Sequence, residues 1–561
     1  MHVDSRDLAR SELVDDASRG IHRRWRISAS LGVALVTVLA LLVPALATRS
    51  HHEASTASCS SGTTVRTADG PVCGVSKDGV TSYQGIPYAA PPVGDLRWRP
   101  PQPHQPWQRT LPATKAAKSC PTPGASDTSE DCLYLKIQKP ADAKKGEKLP
   151  VMYEFHGGGF LGENRTDQGE NLVRSGRVVY VYVGYRLGIL GFLAHAAFGA
   201  HAGDYGIQDQ QAGLRWVRRN IAEFGGDPGN VTVFGESAGG ASVCDEVASP
   251  TAAGLFQKGI SVSGFYNYQN NTVWSKADCK STYYTEAQAQ RTGARFAAKV
   301  GCDQGDVAAC LRRVPAQTLV DNGGQFVDPT AGGTIGPIVN GTTLTRSPKE
   351  AFATGHVNRV ALITDVGRDE FNGGIYENQP GLHTVVADTP AQYRQLVSEQ
   401  FGELAPRVRQ LYPLDRFPSP FIAYRTIMAD SASVCPLLVA NDELATHLPV
   451  YADLDEDADN PAHERKEPIG AVHSGTNLLV HYPSADLDPN QAALQDQLLA
   501  EWTSFARTGD PAAAHSPAWP RYDRHQQLVL SLRPAGASLL IPARELRQQH
   551  HCAFWDASTR Y

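Results

Sequence analysis

The chain has 561 residues, with 58 Asp and Glu against 52 Lys and Arg and a formal net charge of -6. This mildly acidic balance, with no long basic tract beyond residue 30, argues against a nucleic-acid partner. The 51 glycines and 37 prolines are spread along the chain, which suits a large domain with many ordered loops and not a disordered one.

Residues 1–26 are polar, with a basic cluster at Arg19, Arg23, Arg24 and Arg26. Residues 27–47 are almost wholly apolar and end in Ala45-Leu46-Ala47. The pattern predicts a secretory signal peptide over 1–47 with an A-x-A cleavage site. The apolar run is also long enough for an uncleaved membrane anchor. Either reading puts the remaining chain outside the cytoplasm, because the positive charge stays inside. Residues 48–70, rich in Ser, Thr and Ala, read as a flexible spacer, and 71–561 as one large domain. Ten cysteines, an even number without C-x-x-C spacing, read as disulfides formed in an oxidising compartment and not as a zinc site.

Gly85 to Pro101 is too rich in proline for a central element and reads as an ordered, aromatic-packed loop. Ser129–Leu135 alternates like a strand. Leu149–Phe155 is a stronger strand that runs into His156-Gly-Gly-Gly-Phe160, and Val178–Gly184 is another. Gln208–Phe224 is helical, with Leu214, Val217, Ile221 and Phe224 on one face, and Gly225-Gly226-Asp227-Pro228 ends it. Strands follow at Val231–Phe234, Gly259–Ser263 and Arg359–Thr364, with a helical stretch from Gln288 to Val314 that contains Cys302 and Cys310. Leu448–Leu454 is expected to be the last large core strand. Leu494, Leu498, Trp502 and Phe505 mark a late helix ending at Gly509-Asp510-Pro511. Strands alternating with helices predict an α/β class with a mostly parallel central sheet, helices on both faces and large loop and helical insertions.

The stretch Val231-Thr-Val-Phe-Gly-Glu-Ser-Ala-Gly-Gly240 joins a buried strand to a helix start through Gly235-Glu-Ser-Ala-Gly239. G-x-S-x-G in this strand–turn–helix context is the arrangement of a nucleophilic serine, Ser237, with the Ala238 N–H beside the oxygen that becomes negative during acyl transfer. Taken alone, the motif is equally well a Gly-rich turn with a bystander serine. The triple glycine after His156 matches the HGGG-type oxyanion loop that accompanies such an elbow in esterases and lipases.

Further motifs carry a family resemblance. They are Gly85 to Pro101, Glu130-Asp-Cys-Leu-Tyr-Leu135, His156 to Phe160, Tyr185-Arg-Leu-Gly-Ile-Leu-Gly-Phe192, Gly206-Ile-Gln-Asp-Gln210, Asn220 to Gly240, and more weakly Phe505 to Pro511 and Trp519 to Asp523. From about residue 60 to 560 the chain resembles the type-B carboxylesterase/lipase family. The resemblance implies an α/β-hydrolase fold, hydrolysis of carboxylic esters through an acyl-enzyme, and no cofactor. It implies a small-molecule ester as partner, with membrane contact only through the N-terminal segment if that is uncleaved. The residues it points to are Ser237 as nucleophile, Glu370 as acid, His473 (in Gly470-Ala-Val-His473) as base, and Gly158, Gly159 and Ala238 as the oxyanion hole. The family's Asp-Glu-Gly is here Asp369-Glu370-Phe371, so Asp369 stays open as the acid, with Asp365 a third choice; His463 and His481 read as solvated or structural. The resemblance also pairs Cys120 with Cys132 and Cys302 with Cys310, leaving Cys59–Cys73, Cys244–Cys279 and Cys435–Cys552 by elimination.

Two other functions stay open. A lipase would need a lid, and the loop between Cys120 and Cys132 is short and polar for that task. A non-catalytic adhesion member of the family would lack the serine, which is present. Loops 262–290 and 320–345 are expected to shape the pocket and carry Phe265, Tyr266, Tyr268, Trp274 and Phe326, any of which can equally be core. Sequons occur at Asn164, Asn230, Asn270 and Asn340 and matter only in a glycosylating host.

Overall fold

The strands expected around the serine turn are neighbours in one sheet. The structure is a computed structural model that describes residues 58–163, 168–267, 278–327, 335–372, 387–458 and 469–559. The leader 1–47, Tyr268, Trp274, His463 and the sequons at Asn164 and Asn270 lie outside the described residues. In chain order the strands are β1 (Val65–Arg66), β2 (Pro71–Cys73), β3 (Val75–Lys77), β4 (Val80–Pro87), β5 (Leu111–Pro112), β6 (Tyr134–Pro140), β7 (Leu149–Phe155), β8 (Val179–Val183), β9 (Gly226–Glu236), β10 (Lys258–Val262), β11 (Ala361–Asp365), β12 (Val450–Asp455), β13 (Leu528–Leu532) and β14 (Leu539–Pro542). β1, β2 and β5 form a small sheet, and the others one sheet in the order β14-β13-β12-β11-β10-β9-β7-β8-β6-β4-β3. The run from β8 through β7 and β9 to β13 is parallel. The edges at β3, β4, β6 and β14 are antiparallel.

Parallel strands are covered on both faces, which is why β7 and β8 are largely apolar and buried at every position, with Glu154 of β7 the one charged side chain in the two strands. One face packs Val151, Tyr153, Phe155 and Val233 against Leu214, Val217 and Val243 of the helices Tyr205–Asn220 and Ala238–Ala248. The other packs Met152, Phe234, Ile260, Ile363 and Tyr451 against Leu494, Leu498, Trp502 and Phe505 of the helix Pro489–Thr508. That helix starts where Asp488 Oδ1 caps the N–H groups of Asn490 and Gln491 with Pro489 in its first turn, and stops at Gly509, φ 81°. The helical stretch Pro420–Leu444 is long and apolar enough to cross a membrane but is buried in the core.

Four expectations need correction. Residues 58–70 are part of the folded unit and not a spacer, because β1 pairs with β2 and Cys59 is bonded to Cys73. Strand β6 begins only at Tyr134; before it, the Glu130 carboxylate is drawn off to Arg97 at 2.6 Å. The helical stretch 288–314 is two helices, Glu286–Lys299 and Val307–Arg313, with the Cys302–Cys310 bond clamping the turn between them. β12 is not the last strand of the sheet, since β13 and β14 extend it.

Candidate active site

Five adjacent parallel strands, β7, β9, β10, β11 and β12, end on the same edge of the sheet, the edge where open α/β sheets bind ligands. β9 stops at Glu236, Ser237 sits at φ 57° and ψ -120°, and a helix begins at Ala238. A non-glycine residue in that conformation costs roughly 1–3 kcal/mol and has to be over-determined by its surroundings. Here the Ser237 N–H donates to Val262 O at 2.9 Å. The turn is also wedged between neighbouring backbones. A Cβ at Gly235 or Gly239 would run into Phe155 O, and one at Gly240 into Val262 O. The small residues of the motif are therefore packing requirements of this site.

After β11 the chain turns through Gly367 to Glu370, and His473 arrives from the segment that follows β12. His473 Nδ1 lies 2.5 Å from Glu370 Oε1, and both side chains are buried. Glu370 Oε2 accepts the Gly367 N–H at 2.6 Å and the Ser263 hydroxyl at 3.3 Å. Asp369 faces elsewhere. Its Oδ2 takes the guanidinium of Arg368 at 2.9 Å and the Ala471 N–H at 3.1 Å, and it fills the space beside Gly470. Asp365 is bonded to the Thr476 hydroxyl at 3.0 Å. The structure thus brings Glu370 to the imidazole and gives Asp369 and Asp365 other partners.

Two groups at this cluster have places that the sequence did not assign to them. Glu236, the residue before Ser237, places Oε1 at 3.0 Å from His473 Nε2 and also accepts the Ser474 hydroxyl. The Tyr266 hydroxyl lies 2.5 Å from Glu370 Oε1 and 2.7 Å from His473 Nδ1. Glu236 was legible as a motif neighbour of the serine. Tyr266, three residues beyond the Ser263 that ends the expected strand, had no local signal for this contact. Phe265 and Phe326 are buried. His481 is structural: it is buried and lies 3.4 Å from Glu154.

Gly158 and Gly159, φ 107° and 64°, take the left-handed backbone that only glycine adopts freely, at the end of β7. Leu161 and Gly162 N–H groups close this turn on Gly158 O at 3.0 Å. His156 is buried and stacked on Tyr185 at 4.2 Å, which fixes the start of the turn. Ala238 is the buried first residue of its helix.

Electrostatically, burial opposes a charge on His473, but the carboxylates of Glu370 and Glu236 more than offset it and hold the imidazole well above its ordinary range. Behind it lies an acid-rich layer. Burial pushes Asp365 up to about 8, and Asp453 and Asp455 well above the usual carboxyl range. Among the described residues neither oxygen of Asp453 has a hydrogen-bond partner. Because folding raises these values, the folded chain binds more protons than the unfolded one from the ordinary carboxyl range up to about pH 8, and stability falls as pH rises across that window. The thermal midpoint in a calorimetric scan is therefore expected to be higher near pH 5 than near pH 8. Asp453→Asn should flatten the difference by lifting the value at the alkaline end; a wild-type midpoint that does not vary with pH would refute this.

Five disulfides, Cys59–Cys73, Cys120–Cys132, Cys244–Cys279, Cys302–Cys310 and Cys435–Cys552, use all ten cysteines. Such a set marks an extracytoplasmic protein. The Asn340 side chain is buried, its amide donating to the Thr343 hydroxyl of its own loop and to His201 O.

Comparison with known proteins agrees with this architecture. The profile of the Carboxylesterase family matches residues 61–555. The chain is 32% identical over 486 residues to Fumonisin B1 esterase of Sphingopyxis macrogoltabida, covering 82% of this chain and 85% of that one. It is 31% identical over 509 residues to Para-nitrobenzyl esterase of Bacillus subtilis (strain 168), covering 86% and 98%. A solved structure of PNB esterase superposes with a TM-score of 0.70 at 30% identity, covering 87% of this chain and 99% of that one. With the α/β-hydrolase sheet and the serine elbow already in place, the chain belongs to the carboxylesterase family and is a serine hydrolase of carboxylic esters.

Proposed function

We propose that Ser237, His473 and Glu370 form the catalytic triad and that Gly158, Gly159 and Ala238 supply the oxyanion hole. The observation that carries this reading is the ion pair of His473 with Glu370 on the same sheet edge as a serine in a strained strand-to-helix turn. With Glu370 on Nδ1, the imidazole keeps its proton there and offers Nε2 as the base. Nε2 faces the Glu236 carboxylate, which only accepts, so its proton must first pass to that carboxylate; Nε2 then turns from Glu236 to take the Ser237 proton as the hydroxyl attacks the ester carbonyl. His473 then protonates the leaving alcohol, and water repeats the attack on the acyl-enzyme, regenerating Ser237. Backbone N–H groups at the oxyanion are each worth about 3–4 kcal/mol in the transition state.

The substrates proposed are esters of short acyl chains. The loop between Cys120 and Cys132 is polar, closed by its disulfide and held by the partly buried pair of Arg97 with Glu130, which suits it poorly to the part of an apolar lipase lid. Among the described residues the exposed large hydrophobics are Val93 and Leu539 alone. The protein is exported by its leader 1–47, and residues 58–561 form the catalytic domain. A fluorophosphonate probe should label wild type but not Ser237→Ala, with the labelled band in the medium or cell envelope. In a p-nitrophenyl ester series kcat/KM should fall from acetate to palmitate. Labelling of the Ser237→Ala protein, or a maximum at palmitate, would overturn the corresponding part.

A further inference from the structure

We infer that Tyr266 is a positioning residue of the hydrolytic site, its phenol sharing the carboxylate oxygen of Glu370 with His473 and so setting how firmly that carboxylate holds a proton on the imidazole. The inference rests on the triad reading above and deepens it.

Its basis is a closed triangle of polar atoms. Tyr266 Oη is 2.5 Å from Glu370 Oε1 and 2.7 Å from His473 Nδ1, and Nδ1 is 2.5 Å from the same Oε1. An ionised carboxylate only accepts, with about four lone-pair sites. The other two are met by the Gly367 N–H and the Ser263 hydroxyl on Oε2. The phenol therefore donates to Oε1, and Nδ1 must keep its proton to donate there as well, which leaves Nε2, now facing Glu236, as the nitrogen that exchanges a proton in the cycle. Two donors on one oxygen divide its charge. Each weakens the hold of that oxygen on the other, and the phenol, which does not change its charge in the cycle, tempers the pull on the imidazolium.

The loop that carries Tyr266 is built to keep the phenol in place. The Tyr266 ring is buried, 5.7 Å from the Phe371 ring and 6.0 Å from the imidazole. Its carbonyl accepts the Lys280 N–H at 3.2 Å, and the next residue, Asn267, donates its N–H to Ala432 O at 2.9 Å. The bond between Cys244 and Cys279 ties this loop to the helix that starts at Ala238, and Gly264 lies so close to Gly240 that no Cβ fits. The phenol is thus referenced to the helix that carries the nucleophile. Among the described residues, the titratable groups that face His473 include Glu236 at the end of β9, Tyr266 and Asp278 from the loop after β10, Asp365 at the end of β11, and Glu370. Among these Tyr266 touches both members of the ion pair.

The test is the pH profile of kcat/KM on p-nitrophenyl acetate. Tyr266→Phe should move the acidic limb upward by about half to one pH unit, lower the rate at neutral pH roughly three- to tenfold, and leave KM within about twofold. The far-downfield proton resonance of His473 Nδ1–H should shift further downfield. Site-specific 3-fluorotyrosine at position 266, which keeps the ring and strengthens the donor, should move the limb toward acid, and this holds the test open if the Phe variant folds poorly. An acidic limb that is unmoved, or moved in the opposite sense, in these variants overturns the inference. Glu370→Gln and His473→Ala separate the two levels: if both keep full activity the triad reading fails, whereas if both are inactive and the tyrosine variants match wild type only the role of Tyr266 fails.

Discussion

Ser237→Ala is expected to lower kcat/KM on p-nitrophenyl acetate by about 10^4- to 10^6-fold, because the nucleophile and its base act as a unit and the oxyanion groups left behind supply only the residual rate. The fold should survive, since the Ser237 side chain makes no capping bond to its helix and the turn is held by its backbone N–H on Val262 and by the packing of Gly235, Gly239 and Gly240. Ser237→Gly sharpens the test. At φ 57° and ψ -120° glycine relieves backbone strain that alanine keeps. Both variants should be inactive, with the glycine form melting above wild type. An alanine variant that turned over at the wild-type rate would remove Ser237 from the mechanism.

Glu370→Gln should cost about 10^3- to 10^4-fold in kcat, the scale expected when the acid of a triad no longer fixes the tautomer or faces the imidazolium with charge. Asp369→Asn should stay within about tenfold of wild type in kcat and show its effect in the melting temperature instead, through the weakened contacts to Arg368 and Ala471. Steady-state kinetics and a thermal scan on the two proteins decide the matter. An inactive Asp369→Asn variant beside an active Glu370→Gln variant would reassign the acid.

The two carboxylates were hard to separate in the sequence because Phe371 stands where the related pattern has glycine. The structure gives Phe371 a burial role against the Tyr266 ring, so packing offsets the departure and leaves the Glu370 turn intact. The serine elbow was legible because its requirements are local: tight backbone approach demands small residues at fixed offsets. The same holds for β7 and β8, whose largely apolar runs follow from burial on both faces. What was not legible depends on which strand ends meet. Tyr266 and His473 are far apart in the chain and become neighbours only through the sheet order. The burial of Asp453 and Asp455 against the layer that holds the helix Pro489–Thr508 likewise had no local signal. β13 and β14 were missed as sheet members because Leu528–Leu532 is a short apolar run with no helix directly before it.

The bond between Cys435 and Cys552 closes a loop of 117 positions that contains β12, His473 and both final strands. Near its ends Asp430 is joined to His550 at 2.6 Å, and Ala432 O holds the Asn267 N–H. At synthesis speeds of about 5–20 residues per second, a nascent chain carries its nucleophilic turn for tens of seconds before the imidazole, the closing strands and this staple exist. On the triad proposed above, the turn has no base through that interval, and hydrolysis waits for the C-terminal segment to dock.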